Sequence, residues 1–140
     1  MTIHAAETIY QSMTIPLMTY CDLIYLDLSE SSLTKFQHLE TRAKNIICNG
    51  LSEKCIDLTI PNIRSIRIYN ASMTVYKSLH QVSCELFNNY FLLMNHARNT
   101  RNNRNCVVLP KVKLEVARKG FFFQGALIYN GLPAHIRQIK

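Results

Sequence analysis

The sequence predicts a mainly α-helical protein, in which a small helical bundle precedes a basic C-terminal segment with short strands and a short helix. Apolar residues recur at steps of three and four over much of the first 94 residues, which is helical spacing. Only four Gly and four Pro interrupt the 140 residues, and the 48% hydrophobic content is enough for a packed core. After residue 94 the pattern changes to Asn-rich and alternating stretches. We therefore expect two regions, 1–94 and 95–140, with the second cut off at the chain end.

The first 28 residues predict one or two helices that are broken at Pro16. Tyr20 and Ile24 continue the apolar pattern at four-residue steps beyond this proline. Proline lacks an amide hydrogen, and its ring clashes with the preceding helical turn. Pro16 should therefore kink the helix or restart it.

The clearest amphipathic patterns predict helices near 32–48 and 62–80. The polar run Ser29–Ser32 offers N-caps for the first helix, and Gly50 supplies its stop. Pro61 suits the first turn of the second helix. The two helices should pack face to face through Phe36, Leu39 and Ala43 on one side and Ile66, Tyr69 and Met73 on the other. The polar side of the first helix holds Gln37, Glu40, Lys44 and Asn45.

Shorter elements are predicted in the rest of the chain. Ser83 should cap a short helix. Cys106–Leu109 predicts a short strand, and Val112–Val116 alternates apolar and charged residues with the period of two that is typical of a strand. Gly125–Asn130 predicts a short helix, and Pro133 can open a last one.

All of the excess positive charge lies at the C-terminal end. Residues 95–140 hold nine basic residues and one acidic residue, a net charge of +8, whereas 1–94 hold seven basic and eight acidic residues, a net charge of −1. Such a distribution is typical of a polyanion binder, and nucleic acid is the commonest such partner. The alternative is a merely solvated charged face. The candidate nucleic-acid-binding residues are Arg98, Arg101, Arg104, Lys111, Lys113, Arg118 and Lys119.

Aromatic residues lie among these cations. Phe121–Phe123, whose pattern fits either strand or helix, and Tyr129 can stack on unpaired bases. Core packing is the favoured interpretation, because large aromatic side chains dominate the interiors of proteins.

The sequence offers no residues arranged for catalysis or metal binding. A polymerase or nuclease needs clustered carboxylates to hold two metal ions, but no two acidic residues are adjacent, and we interpret Asp22 and Asp27 as solvated or helix-end charges. The five Cys are scattered, odd in number and not at zinc-ligand spacing from the His, which indicates reduced thiols. The most apolar window, 15–28, is too short to cross a bilayer. We expect no enzyme activity, no cofactor, no membrane span, and an intracellular location in nucleus or cytoplasm.

Four short motifs follow one another near the C-terminus. They are Asn-Thr-Arg-Asn at 99–102, Leu-Pro-Lys-Val at 109–112, the run 117–123 with Gly125-Ala126 behind it, and Tyr-Asn-Gly-Leu-Pro at 129–133 followed by Ile136-Arg137. This order resembles the C-terminal end of non-LTR (LINE-type) retrotransposon reverse transcriptases, although that family usually has Trp at the position of Tyr129. Four motifs in order are far more specific than any one of them.

A second block carries the same resemblance. Residues 33–50, with Arg42, Ala43, Ile46 and Ile47 at matching positions, resemble the thumb of these transcriptases, although Glu40 and Lys44 replace the usual Gln and Arg. The resemblance implies a thumb-like bundle over 1–94 and the region after it, from an RNA-directed DNA polymerase whose palm, fingers and endonuclease are missing here. It implies that this fragment grips a template–primer duplex, RNA or DNA, by its backbone, beside the missing palm. The alternative is an independent small, basic helical module that binds a protein partner.

Overall fold

The structure, a computed structural model, describes residues 3–27, 29–49, 62–94 and 105–139. These residues are mainly helical, as predicted. Their one β pairing is an isolated antiparallel bridge between Leu93 and Val107. The chain packs as two compact units, Met1–Arg67 and Ile68–Lys140. The functional division predicted after residue 94 stays a prediction.

The first unit opens with α1 (Ile3–Ile9), a π-helical turn (Tyr10–Thr14) and α2 (Ile15–Thr19). Pro16 lies in the first turn of α2, and the amide of Ile15 donates to the carbonyl of Tyr10 across the π turn. The proline has no amide hydrogen to continue the α-helical ladder, so the ladder widens just before it. This is the break that the sequence predicted.

The helical spacing of Tyr20 and Ile24 does not extend α2. Tyr20 leaves the helical region with a ψ of 121°, and Cys21 adopts a left-handed φ of 56°. Ile24 instead starts a 3-10 turn that ends at Asp27. The prediction of a longer helix was wrong, because side-chain periodicity does not reveal the left-handed backbone at Cys21.

Helix α3 (Glu30–Asn49) matches the helix predicted near 32–48, and the amide of Ser32 donates to the Ser29 hydroxyl at 3.3 Å as an N-cap. The stop predicted at Gly50 lies outside the described residues. The buried face of α3 differs from the predicted one. Leu39 is 55% exposed, whereas Glu40 is buried.

Buried polar groups line the interior of the first unit. Burial raises the pKa of the Tyr10 hydroxyl, and the negative charge of Glu40 raises it further. Burial lowers the pKa of the Arg67 guanidinium, which the charge of Asp22 opposes, and this guanidinium lies 5.9 Å from the centre of the Phe36 ring. Asp22 is itself buried, so it is not a solvated charge. Its amide donates to the carbonyl of Thr19, the last residue of α2, which is the helix-end position that the same interpretation allowed.

Helix α4 (Ile63–Leu79) matches the helix predicted near 62–80. The side-chain carbonyl of Asn62 accepts the amide of Arg64 at 2.8 Å and caps the helix. Pro61, predicted in the first turn, lies outside the described residues. Tyr69, which the sequence placed on the buried face of this helix, is 63% exposed, so that assignment was wrong.

The second unit packs around Val75 of α4, Phe91, Val107, Ala126 and Tyr129. The short helix α5 (Glu85–Asn88) begins after Cys84, one residue later than the cap predicted at Ser83. Two backbone hydrogen bonds flank the bridge between Leu93 and Val107. The amide of Met94 donates to the carbonyl of Cys106 and the amide of Val108 donates to the carbonyl of Leu92, both at 2.8 Å.

Three helices complete the second unit: α6 (Glu115–Lys119), α7 (Phe121–Asn130) and α8 (Ala134–Arg137). The helix predicted over 125–130 is the second half of α7, and α8 follows Pro133 as expected. The strand predicted at Val112–Val116 was wrong, because the amides of Ala117 and Arg118 turn back to the carbonyl of Leu114. The strand predicted at 106–109 reduces to the single bridge.

Candidate nucleic-acid interface

The second unit carries all of the excess positive charge. Residues 68–140 hold ten basic and two acidic residues, a net charge of +8, whereas residues 1–67 hold six basic and seven acidic residues, a net charge of −1. Residues 68–94 add one basic and one acidic residue, so the excess charge lies in the part of this unit after residue 94. A positive potential of this kind attracts polyanions to the second unit.

Lys111 and Lys113 lie in the irregular segment between the bridge and α6. Leu109 packs against the core and anchors its start. Both lysines are exposed, and Val112 between them is half-buried. Both ammonium groups are therefore accessible to a phosphate.

Arg118 and Lys119 form the exposed last turn of α6. The side-chain amide of Gln124 donates to the backbone carbonyl of Arg118 at 2.8 Å, which ties this turn to α7. Glu115 lies 3.8 Å from the Arg118 guanidinium, and both side chains are exposed. Exposed pairs of this kind contribute about 0–1 kcal/mol, so a phosphate can displace Glu115.

The other three candidates, Arg98, Arg101 and Arg104, lie outside the described residues. The described residues on either side of them are fixed to the core. The bridge holds Met94 beside Cys106, and the side-chain amide of Asn105 donates to the carbonyl of Arg137 at 3.1 Å. The two flanks of this basic segment are therefore held side by side.

Arg137 contributes to the net charge but not to the exposed basic surface. Only 6% of it is exposed. Its Nε donates to the carbonyl of Leu132 at 3.0 Å, and its Nη1 donates to the sulfur of Cys106. The guanidinium thus joins α8 to the segment that enters the bridge, and its role is to position backbone.

The aromatic candidates divide between the core and the surface. Tyr129 is buried and Phe121 packs against the core, as the favoured interpretation predicted. Phe122 is instead 39% exposed and stacks on Tyr90, with the ring centres 4.2 Å apart and the ring planes inclined by 23°. The sequence assigned no binding role to Tyr90.

Within the described ranges, no three His, Cys, Asp or Glu side chains are grouped as a metal ion requires. Across the same part of the chain, no helix is long and apolar enough to cross a membrane. Comparison of the chain with protein-family models, curated proteins and solved structures found no match.

Proposed function

We propose that this chain is a non-catalytic fragment of a LINE-type retrotransposon reverse transcriptase, from the thumb and the region after it, and that it binds nucleic acid by the backbone. The ordered motifs at 99–137 and the block at 33–50 support the family. The acidic residues of the sequence include no adjacent pair, which supports a fragment that does not polymerise DNA by itself.

One observation carries the binding proposal. Four of the candidate cations, Lys111, Lys113, Arg118 and Lys119, are exposed on the unit with a net charge of +8. Lys and Arg neutralise phosphates and release the counterions that surround nucleic acid, whatever the base sequence. Three or four such contacts give affinities of about micromolar or weaker. Binding to a template–primer duplex would therefore be weak, sensitive to salt and independent of base sequence.

A pair of charge-matched variants tests this proposal. Lys111→Gln, Lys113→Gln and Arg118→Gln together remove three exposed cations from the site. Lys35→Gln, Arg42→Gln and Arg64→Gln remove three exposed cations from the first unit. Fluorescence anisotropy with two unrelated DNA duplexes and an RNA–DNA hybrid, each over a range of salt concentrations, measures affinity and its salt dependence.

We expect the site variant to lose affinity equally on all three duplexes. Its slope of log K against log salt should become shallower by about 2.7, since each phosphate contact contributes about 0.9. The control variant should keep the parent slope. Equal losses in both variants would mean that net charge alone attracts the duplex, and no loss in the site variant would remove these cations from the interface. Changing Arg98, Arg101 and Arg104 together to Ala should likewise reduce the slope.

A different observation favours the alternative, a small basic helical module with a protein partner. Ile9, Met13 and Leu17 follow one another at four-residue steps through α1, the π turn and α2, and all three are exposed. An exposed apolar stripe of this kind is typical of a protein contact. Sequencing genomic DNA and transcripts upstream of Met1 separates the two functions. Palm-coding sequence or its decayed remains supports the transcriptase fragment, whereas a separate promoter supports the module.

A further inference from the structure

The second unit displays an aromatic ring that is exposed and yet held in place. Tyr90 is 59% exposed, and its ring lies against Phe122 with the ring centres 4.2 Å apart and the planes inclined by 23°. Phe122 therefore covers one face of the Tyr90 ring. More than half of Tyr90 stays exposed beside Phe122, so part of its apolar ring is accessible to a ligand.

The ring is supported from inside by a series of aromatic contacts. Phe122 lies 6.1 Å from Phe87, 6.1 Å from Phe91 and 5.7 Å from Phe121, measured between ring centres. The amide of Tyr90 donates to the carbonyl of Phe87 at 3.2 Å, which fixes the backbone that carries the ring. Little conformational entropy remains to be lost when a ligand stacks on such a ring.

Two cations lie close along the chain to Phe122, the ring on which Tyr90 stacks. Arg118 and Lys119 precede Phe122 by four and three residues, and both are exposed. Even a fully extended chain would separate the Cα atoms of Arg118 and Phe122 by no more than about 14 Å. The hydrogen bond from Gln124 to the Arg118 carbonyl ties the basic turn to the helix that carries Phe122. The basic turn is therefore joined to the helix that carries one half of the aromatic stack.

We infer that an unpaired base of a single-stranded nucleic acid stacks on the exposed face of Tyr90, while Arg118 and Lys119 hold the neighbouring phosphates. This inference rests on the proposed function and names its substrate as single-stranded template or primer ends. An aromatic platform beside cations is the combination that binds single strands without sequence preference. A duplex binds the cations as well, but its bases are already stacked on one another. Only a single strand engages both parts of the surface.

The test compares two exposed tyrosines of the same unit. Tyr90→Leu removes the platform, and Tyr69→Leu is the matched control, since Tyr69 is 63% exposed. The probes are short DNA and RNA single strands that contain 2-aminopurine, whose fluorescence is quenched by stacking, and a blunt duplex of the same length. Tyr90→Leu should weaken single-strand binding by between about 5-fold and about 150-fold, the range for one stacked base. It should abolish the quenching and leave duplex affinity unchanged.

Tyr69→Leu should match the parent protein in every assay. The DNA and RNA arms should respond alike, because stacking makes no use of the 2′-hydroxyl. The platform is excluded if Tyr90→Leu binds the single strands as tightly as Tyr69→Leu and the parent do, and quenches 2-aminopurine to the same extent. Phe122→Leu is a second variant that keeps the side chain apolar but removes the supporting ring, and it should weaken single-strand binding in the same direction. Circular dichroism checks that each variant keeps its helices.

The two proposals fail in different ways. In one outcome, Tyr90→Leu loses single-strand binding, and the Lys111, Lys113 and Arg118 variant keeps the parent's salt slope on duplexes. This outcome would support the platform and contradict duplex binding through the backbone. The opposite result is a shallower salt slope in the Lys111, Lys113 and Arg118 variant, with the single-strand affinity of Tyr90→Leu equal to that of the parent. It would support backbone binding and exclude the platform.

Discussion

The side chain of Asn130 pairs with both backbone polar groups of Val107. The Asn130 carbonyl accepts the Val107 amide at 2.7 Å, and the Asn130 amide donates to the Val107 carbonyl at 2.9 Å. Val107 is fully buried and is one partner of the bridge to Leu93. Asn130 ends α7, so this pairing attaches the helix to the strand-like segment at Val107. The backbone hydrogen bonds of the bridge use Cys106 and Val108, and the Asn130 side chain satisfies the polar groups of Val107 between them.

Asn130→Ala should therefore destabilise the second unit by about 2–3 kcal/mol. Loss of the asparagine leaves the Val107 amide and carbonyl buried without this partner, and an unsatisfied buried group costs about 1–3 kcal/mol. Urea denaturation followed by far-UV circular dichroism measures the change. Asn89→Ala is the control, because Asn89 is exposed, and should cost less than about 0.5 kcal/mol. Equal midpoints for the two variants would contradict this role of Asn130.

Arg137→Lys should lower stability without changing nucleic-acid binding. Lysine keeps the charge but lacks the planar array of donors with which Arg137 bonds Leu132 and Cys106. The expected loss is about 1–3 kcal/mol. The salt slope of duplex binding should stay that of the parent, measured under conditions in which the variant is folded. Arg118→Lys, at an exposed site, should leave stability unchanged. A shallower salt slope in Arg137→Lys would show that the buried guanidinium contacts phosphate.

The positions of the long helices could be predicted because the signals that fix them are local. The ends of α3 and α4 lie within two residues of the predicted ones. A serine and an asparagine just before these helices supply the caps. Caps and periodic apolar residues act within a few positions of the chain, so they are visible in the sequence.

The buried faces were harder to predict, because the spacing of apolar residues does not show which charged side chains find a partner and become buried. Glu40 lies in the buried face of α3, where the Lys44 ammonium contacts its carboxylate at 2.7 Å, while the apolar Leu39 remains exposed. The exposed ring of Tyr90 depends on Phe122, 32 positions later. Asn130 and Arg137 likewise bond to residues more than 20 positions away. No local spacing encodes such contacts.

The Glu40–Lys44 pair should contribute measurably to the first unit. Lys44 donates to the Glu40 carboxylate at 2.7 Å, and only 7% of the Glu40 side chain is exposed, against 30% of the Lys44 side chain. Lys44→Met leaves a mostly buried carboxylate without this cation and should cost about 1–3 kcal/mol.

A double-mutant cycle isolates the interaction. Glu40→Gln removes the charge that Lys44 neutralises, so Lys44→Met should cost less in the Glu40→Gln background than in the parent. The coupling should reach about 1 kcal/mol in urea denaturation, reduced from that of a fully buried pair because Lys44 is partly exposed. Additive losses would mean that the two side chains act independently.

High pH should destabilise the second unit through Tyr129. Burial raises the pKa of the Tyr129 hydroxyl above its ordinary value of 10.0, although the positive charge of Arg137 opposes the shift. Between pH 10 and the raised pKa, the unfolded chain has released a proton that the folded protein retains. Raising the pH therefore favours unfolding. The stabilisation is complete below about pH 10 and is lost as the pH rises through the folded pKa.

Urea midpoints at about pH 8 and about pH 11, on either side of the ordinary tyrosine pKa, test this dependence. Tyr129→Phe cannot ionise, so its stability should fall less between the two pH values than that of the parent. Tyr69→Phe, at an exposed position of the same unit, is the matched control and should retain the parent's fall. The comparison uses the change with pH rather than absolute stability, so the cost of removing the hydroxyl cancels. An identical fall in Tyr129→Phe and Tyr69→Phe would mean that burial of the Tyr129 hydroxyl does not couple its ionisation to folding.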